Sequence, residues 1–125
     1  MENPGEHFVR EELSRHGHRG NSKFFAGDSK HTLPQFLKQN ADLQFDLITV
    51  DGDHSEPGAR IDLENTLSRL APGGVLVFDD ISHPELPHML CLWREVTSRY
   101  PALETFEFSE AGYGVAFALN RGEPV

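Results

Sequence analysis

Apolar and polar positions along this chain switch between two periods. Phe45-Asp46-Leu47-Ile48-Thr49-Val50 is a mostly apolar run that stops at Asp51-Gly52-Asp53-His54, and Val75-Leu76-Val77-Phe78 stops at Asp79-Asp80. Short runs rich in β-branched or aromatic residues and closed by carboxylates read as buried parallel strands, whose C-terminal ends open onto a site. Between the two runs Ser55 can cap a helix over residues 56–70, in which Ala59, Leu63, Thr66, Leu67 and Leu70 recur at helical spacing, and Ala71-Pro72-Gly73-Gly74 ends it. A further helix over 86–100 lines up Met89, Trp93, Val96 and Tyr100 and stops at Pro101.

Upstream, residues 4–15 predict a helix with a thin apolar face. Residues 23–26 predict a short strand ending at Gly27-Asp28-Ser29, after which Ser29 or Thr32 caps a helix carrying Leu33, Phe36 and Leu37. Downstream, 103–108 alternates and 113–119 is apolar at nearly every position, so that strand reads as buried on both faces; the Ser109-Glu110-Ala111-Gly112 turn makes the two a hairpin. The alternation predicts an α/β fold: a three-layer, Rossmann-like sheet, mostly parallel and covered on both faces, closed by a C-terminal antiparallel hairpin.

Composition narrows the class of partner. The 125 residues predict one domain, and 38% hydrophobic with 25% charged residues is a globular balance. A formal charge of −9 argues against nucleic acid, which needs a basic face, and points to a small molecule. Cys91 is the single cysteine, which fits a reducing cytoplasm, and no apolar run approaches a membrane span. His16-Gly17-His18 has no third ligand nearby and reads as solvated loop.

If the two acid-ended strands are neighbours, Asp51, Asp53, Asp79 and Asp80 share one rim. Such a cluster repels itself unless protons or a cation enter it, and a divalent ion preferring oxygen ligands is the economical filler. The structural alternative is that strand-end aspartates merely cap helices, and adjacent Asp79 and Asp80 cannot point the same way on a strand.

The succession of strand-Gly-Asp-Ser, Phe45 to Ser55, Asp62-Leu63, Leu70-Ala71-Pro72-Gly73-Gly74 and Val75 to Asp80, with a closing hairpin, resembles the class I S-adenosylmethionine-dependent methyltransferases. The likeness, over about residues 22–120, is to their metal-dependent O-methyltransferase branch, which includes macrocin-type sugar methyltransferases. It implies S-adenosylmethionine contacts at Gly27, Asp28, Ser29 and Asp51, a Mg2+-like ion on Asp51, Asp79 and Asp80, and His54 or Asp53 as the base for a small-molecule hydroxyl. His54 has the better ordinary pKa for that task.

One departure from that family stands out. No Gly-x-Gly triplet precedes residue 24, so the chain resembles the C-terminal two thirds of the family fold and is expected to bind the cofactor weakly or not at all by itself. The strand at Phe24 then either pairs directly with that at Phe45 or leaves an exposed sheet edge that drives homo-oligomerisation. Two alternatives come from other classes. One is a non-catalytic α/β module; the other, a phosphoacceptor receiver domain, conflicts with the late position of Asp79-Asp80 and with the lack of any lysine after Lys38.

Overall fold

The computed structural model describes residues 5–122. Its elements are α1 (Glu6–Arg15), α2 (Ser29–Gln39), β1 (Phe45–Val50), α3 (Glu56–Leu67), β2 (Leu70–Asp79), α4 (His88–Thr97), β3 (Leu103–Phe108) and β4 (Val115–Asn120). The strands form one sheet in the order β1-β2-β4-β3. β1 and β2 run parallel from Phe45↔Leu70 to Val50↔Phe78, whereas β4 is antiparallel to both β2 and β3. The Rossmann-like α/β class and the C-terminal hairpin are as expected, but among the described residues one ladder is parallel and two are antiparallel.

The core lies on one side of the sheet. Alternation sends Ile48, Val50, Leu76, Phe78, Ala116 and Ala118 inward, where they meet Ala59, Leu63 and Leu67 of α3 and Met89, Leu92, Trp93 and Val96 of α4. Phe78 stacks on Trp93 with ring centroids 5.5 Å apart. On the opposite face Phe106 and Phe108 stack on Phe117, but Leu47 is 68% exposed and Val75, Val77 and Leu119 are half-buried. The expected cover on both faces is therefore not observed among the described residues. Nor is β4 buried on both sides: Ala116, Ala118 and Asn120 are buried, and the residues between them only partly so.

Four local expectations are also corrected. Residues 23–26 are not a strand, because no neighbour completes a ladder; Phe24 and Phe25 are exposed, and Phe25 leans on Phe36 at 5.0 Å. The cap of α2 is Asp28, whose carboxylate accepts from the Lys30 N–H at 3.1 Å. α3 does start at Ser55, which accepts from the Gly58 N–H at 3.2 Å, but it ends at Leu67. The Ala-Pro-Gly-Gly stretch belongs to β2, at a register irregularity opposite Phe45 to Leu47. Glycine is needed there: a Cβ on Gly74 would lie 2.8 Å from the Ala71 carbonyl oxygen.

Candidate active site

Parallel pairing of β1 with β2 brings their carboxyl ends together, since Val50 lies opposite Phe78 and the next residues are Asp51 and Asp79. Beyond that point the chain departs from strand geometry. Asp80 has φ +66°, the one positive φ outside glycine among the described residues, and its N–H donates to the Gly114 carbonyl at 2.9 Å. Aspartate is among the residues that tolerate the left-handed region. This turn resolves the problem of adjacent acids: Asp79 Oδ1 accepts from the Asp80 N–H at 2.9 Å, while Asp80 aims its carboxylate at His54.

Asp51, His54 and Asp80 converge, with one potential ligand atom from each lying within 4.8 Å of the others. His54 Nε2 sits 2.8 Å from Asp80 Oδ2 and 3.5 Å from Asp51 Oδ1. That nitrogen is buried and makes no well-aligned hydrogen bond. Partial burial, and then the charges of Asp79 and Asp80, raise the Asp51 carboxyl above its ordinary range, with His54 acting in the opposite direction. A buried orphan nitrogen facing two carboxylates fits a divalent cation. The fit is on chemistry: two hard oxygen donors and an adjacent imidazole, in surplus negative charge.

The other candidates are placed differently. Asp79 lies outside the convergent set. Asp53 is turned into the entry of α3, where its Oδ1 accepts from the Ser55 N–H at 2.8 Å, and that bond holds its pKa down. Gly58 makes room for it, since a Cβ there would lie 2.1 Å from Asp53 Oδ2. Asp28 is the cap of α2 and Gly27 precedes it at φ +118°. Ser29 and Asp51 share a cavity: together with Leu33, Val50, Gly52 and Asp62 they line a space of about 350 Å³ between α2, α3 and the end of β1. An apolar wall beside a polar rim suits the adenosine part of a cofactor.

Two residues here carried little signal in the sequence. Asp62 is only 6% exposed, and its Oδ1 accepts from the Ser29 hydroxyl at 2.7 Å; burial raises its pKa against that bond, with Asp28 and Asp53 adding to the rise. Its helical spacing marks it as a polar residue on the face of α3 that also carries Leu63 and Thr66, but nothing pairs it with Ser29. His88, the first residue of α4, places Nε2 2.7 Å from the His54 carbonyl oxygen, a link 34 residues long in sequence.

The model of a methyltransferase domain family matches residues 2–81, and the chain belongs to that family. Solved structures agree. CalS11, a TDP-rhamnose 3'-O-methyltransferase of calicheamicin biosynthesis, superposes with a TM-score of 0.67 at 23% identity, over 94% of this chain and 51% of that one. The O-methyltransferase from Bacillus cereus, in complex with SAH, gives 0.68 at 19% identity over 91% and 57%. Cofactor-bound Rv0187 from MTB gives 0.64 at 21% over 94% and 57%. The fold is thus the one these methyltransferase structures share, and the chain spans about half their length. No curated protein matches it. Among the described residues no helix is long and apolar enough to cross a membrane.

Proposed function

We propose that this chain carries the acceptor and metal half of a cytoplasmic S-adenosylmethionine-dependent O-methyltransferase acting on a hydroxyl of a small molecule. The observation that supports the reading is the meeting of Asp51, His54 and Asp80 at the carboxyl ends of adjacent parallel strands, where α/β sheets bind ligands. Asp51 and Asp80 would hold Mg2+ or a similar divalent cation, with Asp79 alongside as a further negative charge. Such an ion lowers the pKa of a hydroxyl bound to it, most effectively in a vicinal diol or catechol-like acceptor. His54 Nε2 would take the hydroxyl proton, and S-adenosylmethionine, when bound, would supply the methyl group from its sulfonium. Ser29 and Asp51 line the cavity that would take the adenosine, and Gly27 and Asp28 directly precede Ser29 at the start of α2.

The test is calorimetric titration of S-adenosylhomocysteine into the protein, with and without Mn2+. The reading expects weak binding that tightens with Mn2+ and is lost in Asp51→Asn. Binding of neither S-adenosylhomocysteine nor Mn2+ contradicts it and leaves the non-catalytic α/β module standing.

A further inference from the structure

Residues 51–54, between β1 and α3, have no regular structure, yet they carry two of the three convergent groups. Asp53 to Ser55 and Ser55 to Gly58 are bonds within the loop and the helix entry, so they shape the turn without fixing it to the rest of the fold. A tie to another element comes from His88, whose Nε2–H donates to the His54 carbonyl at 2.7 Å. His88 is well anchored: its neighbour Met89 and, one turn further on, Leu92 and Trp93 are buried in the core against Phe78. A bond from a rigid helix end to the residue whose imidazole faces Asp80 and Asp51 couples core packing to site geometry.

We propose that His88 is a positioning residue, holding the His54 backbone so that its imidazole stays between Asp51 and Asp80. This rests on the reading of those three residues as the working site. His88 itself touches no reacting atom. A donor of the same reach in its place should restore the arrangement, whereas an apolar side chain should let the loop drift while the core stays folded.

The experiment compares wild type, His88→Ala and His88→Gln by hydrogen exchange at residues 51–55 and by Mn2+ titration, with thermal unfolding as the control on folding. His88→Ala is expected to exchange at least tenfold faster across the loop and to bind Mn2+ at least tenfold more weakly with the core protected as in wild type; His88→Gln recovers most of both. Unchanged loop exchange in a folded His88→Ala protein overturns the proposal. So does a His88→Gln protein as loose as His88→Ala. If wild type binds no Mn2+, the metal reading fails, while the exchange comparison still decides the role of His88.

Discussion

His54 Nε2 lies 2.8 Å from Oδ2 of Asp80, a residue held at φ +66°. The contact links the loop after β1 to the turn after β2, and it exists because Asp80 leaves the strand in a left-handed conformation that Asp79 does not share. A non-glycine residue there stores about 1 kcal/mol of backbone strain. Strain and like-charge repulsion at this one residue both work against stability.

Asp80→Gly should therefore leave the metal-free protein as stable as wild type or more so, by about 1 kcal/mol, since strain and repulsion both fall. Asp80→Val should lose at least as much, because a β-branched side chain resists positive φ. Urea unfolding of the two variants in EDTA checks the pair.

Arg69 supports the fold on the side away from that rim. Its guanidinium donates to the carbonyls of Leu37 at 2.9 Å, Asn40 at 2.7 Å and Leu43 at 3.1 Å, closing the end of α2 onto the start of β2. Arg69→Ala should cost about 1–2 kcal/mol, the scale of losing charge-assisted hydrogen bonds to carbonyls that are half-buried or exposed. Arg69→Lys should recover only part, lacking the fork that reaches several carbonyls. Denaturant midpoints at constant slope measure this.

Asp62 predicts a pH effect of definite sign. Its folded pKa is raised, chiefly by burial, so the folded chain holds this proton more tightly than the unfolded chain does. The associated stability is present at low pH and is lost as pH rises from about 4 through the raised value. Asp62→Asn keeps an oxygen for the Ser29 hydroxyl and removes the charge. Thermal unfolding across pH should show the variant gaining on wild type as pH rises toward neutrality; a constant difference counts against the assignment.

The two sheet edges are protected unequally. On β3, Glu104 and Glu107 pair with Arg121 and Arg94, whereas β1 presents Leu47, 68% exposed, beside a half-buried apolar face. Charged edge strands resist pairing and apolar ones invite it. Wild type should associate with rising concentration through β1, and Leu47→Lys should suppress this in light scattering; a concentration-independent monomer in wild type contradicts it.

What the sequence made legible follows from where the physics is local. The strands of Phe45 and Val75 and their acid ends were readable because apolar runs and their stops are adjacent in the chain. The same was true of the helix begun by Ser55. Residues 23–26 misled because a strand needs a partner, and an apolar pattern does not say whether one exists. The candidate metal set was read as Asp51, Asp79 and Asp80, while the convergence observed is Asp51, His54 and Asp80, because the φ of one residue decides which acid turns inward. His88 and Asp62 act through contacts 34 and 33 residues away, to which no local pattern points.

Whether Asp51 and Asp80 form a cation site beside His54 is decided by Mn2+ calorimetry on wild type, Asp51→Asn and Asp80→Asn. One ion per chain in wild type, with at least tenfold weaker binding in each folded variant, is the predicted result. No Mn2+ binding by wild type, or equal binding by all three proteins, would contradict it.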